Sequence, residues 1–163
     1  MATADPAATL QAAIAHHRAG ELAAAEALYG TVLERQPGHP DALHFLGLLA
    51  HQTGRHARAI ELLGAALRVI PGHAPCHLHL GLALQAEGRL DAAEASYRQA
   101  LALDPGSAEA CNNLGYLLAL RGDPAAAREW LERALARQPD FVTALVNHGL
   151  VLETLGEPAA ALA

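Results

Sequence analysis

Residues 74–107 read APCHLHLGLALQAEGRLDAAEASYRQALALDPGS. Within these 34 residues Gly81 stands eighth, Gly88 fifteenth, Ala93 twentieth, Tyr97 twenty-fourth, Ala100 twenty-seventh and Pro105 thirty-second. Small side chains at the eighth, twentieth and twenty-seventh places let two helices approach closely. The glycine at the fifteenth place turns the chain between them, and the proline at the thirty-second stops the second helix.

Moving the frame by one such length reproduces the pattern on both sides. Residues 40–73 put Gly47, Gly54, Ala59, Ala66 and Pro71 at the corresponding places, and residues 108–141 put Gly115, Gly122, Ala127, Ala134 and Pro139 there. Residues 6–39 are looser: Ala13 stands in for the first glycine and Val32 for the later small residue, while Gly20, Ala25, Tyr29 and Pro37 hold. Residues 142–163 open a fifth copy with Gly149 and Gly156. This spacing resembles the tetratricopeptide repeat. The resemblance covers all but the first five residues, as repeats at 6–39, 40–73, 74–107 and 108–141 and a truncated one at 142–163. It implies an all-α fold, a right-handed α-solenoid of antiparallel helix pairs whose first helices line a concave groove.

Composition agrees. The chain is 52% hydrophobic but only 4% aromatic, which suits layered helices that each bury a face on their neighbours. No apolar run approaches the length of a membrane span. The start, MATADPAATL, has an acid and a proline where a signal peptide has basic residues and an apolar run, so a cytoplasmic protein is expected. The net charge is −6, and all eleven cations are arginines. They are interleaved with acids rather than clustered, so no nucleic-acid partner is expected. Cys76 and Cys111 fall on successive first helices, whose axes are roughly 8–10 Å apart. A disulfide wants alpha carbons within about 7 Å, so reduced packing cysteines are expected.

Local signals fit the frame. Pro40 and Pro75 stand where a first helical turn tolerates proline. Ser107 reads as an N-cap, Asp123-Pro124 as an N-cap with proline after it, and Asp91 with Glu94 as a capping box. The fifth copy is different. After Pro158 only AAALA remains, barely more than a turn. Leu145, Gly149 and Leu152 lie on the face that a complete partner helix would cover. The expectation is a longer parent protein, and homo-association of this chain through that uncapped repeat.

In the family it resembles, repeat positions two, five, six, nine, twelve and thirteen face the groove, and four, seven, eight and eleven face the partner helix. Position six is Gln11, Phe45, His79, Asn113 and Asn147, and position five is Leu10, His44, Leu78, Asn112 and Val146. Position nine is Ile14, Leu48, Leu82, Tyr116 and Leu150, and position twelve includes His17, His51 and Gln85. The expected peptide-binding set is Asn112, Asn113, Asn147, His44, His79, Tyr116, Leu48, Leu82 and His51. An asparagine amide offers a donor and an acceptor, so Asn113 and Asn147 can pair with a peptide backbone of any sequence. The alternative is that they cap local backbone or bond each other. A clamp for a terminal carboxylate is disfavoured, because the groove offers Arg18 against Asp41, Glu109 and Glu153.

The ten histidines lack paired metal-ligand spacing, and neither a metal nor another cofactor is expected. Trp130 on a second helix reads as packing. No nucleophile–base pairing or phosphate loop stands out. The sequence therefore points to a non-catalytic module that binds an extended protein or peptide segment, with no membrane partner. Residues 40–67 with EACNNLGYLLALRGD (109–123) are similar to the N-terminal arrays of bacterial O-linked N-acetylglucosamine transferase-like proteins, which present protein substrates. That resemblance places any catalytic domain beyond residue 163. The rival expectation is a self-assembling module that stacks repeats between chains.

Overall fold

The computed structural model describes residues 5–157. Among the described residues there are nine helices and no strand: α1 Pro6–Arg18, α2 Leu22–Arg35, α3 Pro40–Gln52, α4 His56–Val69, α5 Ala74–Ala86, α6 Leu90–Leu103, α7 Ala108–Leu120, α8 Pro124–Arg137 and α9 Val142–Thr154. The first helix of each pair (α1, α3, α5, α7, α9) begins 34 residues after the previous one. Between the two helices of each of the four pairs stands a glycine of positive φ, at Gly20, Gly54, Gly88 and Gly122, and Gly156 takes the same conformation after α9, with φ of +72° to +81° throughout. A side chain would be strained in that left-handed turn. The chain is an all-α solenoid of helix pairs.

Helix starts follow the capping rules with two surprises. Ser107 and Asp123 cap α7 and α8, accepting from the backbone N–H of Ala110 at 3.2 Å and of Ala126 at 3.0 Å. The first surprise is that His39 and His73 do the same for α3 and α5, their Nδ1 atoms accepting from Ala42 and Cys76. The second is that Asp91 and Glu94 form no capping box; α6 has no side-chain cap. Both carboxylates turn to Arg121 at the end of α7, at 2.6 and 2.9 Å. A charge-assisted bond to a guanidinium is stronger than one to a backbone N–H.

Within a pair, the side chain at position twenty-four lies against the residue at position eight. Leu63, Tyr97 and Leu131 are fully buried, and a Cβ added at Gly47, Gly81 or Gly115 would come within 2.7, 2.4 and 2.8 Å of them. Tyr97 also donates its hydroxyl to Gln85 Oε1 at 2.8 Å. Three buried clusters run end to end, joined by Ile60, Leu80, Leu33 and Leu46, each of which packs against two of them. Among the described residues the core has no single centre, and each layer is stabilised by its neighbours. Cys76 and Cys111 are buried and unbridged. Burial pushes the Cys76 thiol up to about 12, and its Sγ donates to Leu63 O at 3.5 Å.

Every first helix also touches the next first helix, from α1–α3 to α7–α9, whereas among the described residues no second helix approaches the next second helix. A stack whose first helices are close and whose second helices are splayed must curve toward the first helices. They therefore line the concave side. Near the end, Leu152 is buried and Leu145 is exposed. The short segment AAALA, expected to begin a last helix, lies outside the described residues.

Candidate functional site

The concave face is read most simply by register. Position five was expected to face the groove, but Leu10, His44, Leu78 and Asn112 are only 3–6% exposed. The following first helix leans over that position and seals it into the joint between pairs. Val146, at the same place on α9, is exposed. His44 and Asn112 are thus not open to a ligand. Both reach the position-six side chain one repeat later.

At the joint of the second and third pairs, His44 Nε2 lies 2.8 Å from His79 Nδ1, with the rings stacked at 5.0 Å. His73 meets the edge of His44 at 4.8 Å, and Phe45 lies at 5.0 Å. Burial, then the neighbouring imidazoles, lowers His44 to about 3 and His79 to about 4. Both rings are neutral near pH 7, one donating and the other accepting. Burial, with His56 beside it, also lowers His51, whose Nδ1 lies 3.2 Å from that of His56.

At the joint of the fourth pair with α9, Asn147 Nδ2 donates to Asn112 Oδ1 at 2.9 Å. Asn112 Nδ2 then donates to Asn113 Oδ1 at 3.1 Å. This relay leaves the Asn113 amide nitrogen and the Asn147 oxygen as its outward ends. A buried amide with both atoms bonded avoids the cost of an unpaired polar group. The joints of pairs one with two and three with four carry Leu10 and Leu78 at position five instead, so polar and apolar joints alternate along the stack.

The remaining expected residues lie on the open face. Leu48, Leu82, His51, His79, Asn113 and Asn147 are half-buried, and Tyr116 is exposed. Three clefts interrupt the face. One of about 250 Å³, between α1 and α3, is lined by Ile14, His17, Arg18, Tyr29, Phe45, Leu48 and Gln52. Its floor is Tyr29 stacked on Phe45, and His17 is fixed between the Tyr29 hydroxyl at 3.2 Å and Gln52 Oε1 at 2.8 Å. A second of about 290 Å³, between the starts of α5 and α7, is lined by Ala74, Pro75, Leu78, His79, Ala100, Asp104, Ser107 and Glu109. A third of about 90 Å³ lies between Tyr116, Asn147 and Leu150.

Sequence reasoning missed the second-helix and loop contributors, Tyr29, Ala100 and Asp104. The only signal for them was the repeat register itself. Trp130 is half-buried against the core on α8, with the Arg133 guanidinium 4.4 Å over its ring. Among the described residues, no three His, Cys, Asp or Glu side chains are placed to hold a metal ion, and no helix is long and apolar enough to cross a membrane.

A family model described as tetratricopeptide repeat matches residues 10–74 and 78–140. Among solved structures, the chain is similar to the MamA protein at 25% identity and a TM-score of 0.82, over 96% of this chain and 86% of that one. It is also similar to a thermophilic TPR protein of Thermus thermophilus at 22% identity and 0.80, over 97% and 87%. A third likeness is to pilF of Pseudomonas aeruginosa, at 22% identity and 0.87, over 96% and 71%. The last two show the fold alone. No curated protein sequence matches the chain.

Proposed function

The chain belongs to the tetratricopeptide repeat family, and we propose that its concave face holds an extended segment of another protein without catalysing a reaction on it. The protein is thus a protein–protein interaction scaffold. One observation carries the finer reading: the amides of Asn113 and Asn147 stand one repeat apart, tied through Asn112, each with one polar end directed away from the relay. An extended backbone offers donors and acceptors that match such ends whatever its side chains. Tyr116 and Leu82 supply apolar contact beside them, and Leu48, His51 and His79 continue the face toward the N-terminus. In this reading His44 and Asn112 hold their neighbours in place from behind.

Asn113→Ala with Asn147→Ala is expected to weaken binding of a captured segment roughly 30-fold, from two backbone bonds of about 1 kcal/mol each. The mass in solution should stay unchanged, while the unfolding midpoint falls modestly because the buried Asn112 amide loses both partners. Unaltered affinity in the double variant would remove the amides from the site.

A narrower form of this reading makes the array the substrate-presenting part of a larger cytoplasmic glycosyltransferase. The two asparagines at position six favour it; Gln11, Phe45 and His79 at the same position interrupt the ladder. Self-assembly is the second reading, favoured by the exposure of Val142, Leu145, Val146 and Leu150 on α9. Light scattering separates them. A mass that rises with concentration and is abolished by Val146→Glu supports assembly, whereas a constant single-chain mass does not.

A further inference from the structure

The groove reading leaves open what kind of segment is held, and the charges on the concave face bear on that. The charged residues at groove positions are Asp41, Glu109 and Glu153 against Arg18. Asp104, from the loop after α6, adds a fourth carboxylate in the cleft that also contains Glu109. His44 and His79 do not offset these charges, because burial keeps both neutral.

The cleft between the starts of α5 and α7 has the features that hold a long cationic side chain. Leu78 and Ala100 are buried beneath it and give a floor for methylene groups. Asp104 and Glu109 stand above that floor. Among the described residues neither takes part in the arginine–carboxylate pairs, which join Arg55 to Glu26, Arg58 to Glu61, Arg98 to Glu94, Arg121 to Asp91 and Glu94, and Arg128 to Glu132 and Glu157. One Asp104 oxygen accepts from Gly106 N–H at 3.0 Å, which orients the group. The nearby cations Arg133 and Arg137 line a separate cleft around Cys111. Toward the N-terminus, the Tyr29–Phe45–Leu48 cleft is apolar on its floor and suits an aliphatic or aromatic side chain. Lysine and arginine bury their stems on apolar surface while the charged head stays at the rim, and an opposed field also suppresses acidic competitors.

We propose that the groove selects a basic, apolar extended segment, one that places a lysine or arginine in the cleft formed by Leu78, His79, Ala100, Asp104, Ser107 and Glu109 and an apolar side chain in the cleft between α1 and α3. The inference rests on the concave face being the binding site and adds the chemistry of its occupant.

Two fluorescein-labelled peptides of equal length test it by anisotropy at low salt. One alternates lysine with valine and phenylalanine, and the other carries glutamate in place of every lysine. The basic peptide should bind at least tenfold tighter, and its affinity should fall as salt rises. Glu109→Gln with Asp104→Asn, which keeps an acceptor for Gly106, should cut its affinity at least fivefold and leave the thermal midpoint in place. Equal binding of both peptides, or no response to that variant, overturns the selection. If both peptides then still weaken in Asn113→Ala with Asn147→Ala, the groove reading survives while the charge inference falls. If neither peptide binds, both fall.

Discussion

Replacing Gly81 with valine is expected to lower the stability of the array by about 3 kcal/mol or more, because the side chain would be forced into the contact between α5 and α6. A Cβ at this position would lie 2.4 Å from Tyr97 Cε1 and 2.6 Å from Cδ1. The tyrosine cannot move aside, since it is fully buried and its hydroxyl is bonded to Gln85. The two helices must separate instead, and the loss spreads to the layers on either side. Alanine should cost less, about 1–2 kcal/mol, because the first pair already places Ala13 opposite the equally buried Tyr29. Gly64→Ala is the internal control with the opposite sign. Its Cβ would meet only Arg68 Nη1 at 4.0 Å, so removing a mid-helix glycine should stabilise by about 0.5–1 kcal/mol. Urea unfolding followed by helical circular dichroism should order the midpoints Gly64→Ala, parent, Gly81→Ala, Gly81→Val. A Gly81→Val midpoint at or above that of the parent would refute the packing described here.

The second large effect is on pH dependence. His44 and His79 titrate in the fold at about 3 and about 4, against about 6.5 for an unfolded histidine. The unfolded chain therefore binds more protons throughout the interval between these values. Their contribution is complete above about pH 6.5 and is lost as the pH falls toward 4, on the order of 3 kcal/mol for each ring. His73 presses on both rings, His51 on His79, and Asp41 lies in the same pocket as His44 and His73. A second proton would place two cations at a 2.8 Å contact and open the joint between pairs two and three. The test is His44→Leu with His79→Asn, which installs residues that other pairs carry at the same register. The double variant should lose most of the decline in stability between pH 6.5 and pH 4. Parallel curves for parent and variant would show that the pair is not what acid attacks.

The repeat, its turns and its helix-pair contacts were legible in the sequence because glycine and proline act locally. A left-handed φ at Gly88 and a chain stop at Pro105 need no knowledge of what packs against them. Ser107 and Asp123 were legible as caps for the same reason. His39 and His73 were not, since imidazole is outside the usual capping set of short oxygen-bearing side chains. The pairing of Asp91 and Glu94 with Arg121 depends on α7 ending beside the start of α6, which no local pattern encodes. Position five was harder still. Whether His44 and Asn112 face a ligand or a neighbour depends on how far the next first helix leans over, a consequence of curvature. What the sequence did contain was the register: position five of one repeat meets position six of the next, and His44 with His79, like Asn112 with Asn147, differ by one repeat plus one residue.

The central claim is that the face of the first helices, and not the convex surface or the α9 end, recognises a protein segment. Panning a random peptide library displayed on phage against the array, then mapping an enriched peptide by methyl and side-chain amide NMR, tests it most directly. The account predicts shift changes concentrated at Leu48, Leu82, Leu150 and the Asn113 and Asn147 side-chain amides, with the leucine changes needing roughly 30-fold more peptide in Asn113→Ala with Asn147→Ala. Changes centred on the second helices, at Leu103 or Trp130, with the concave face silent, would contradict it.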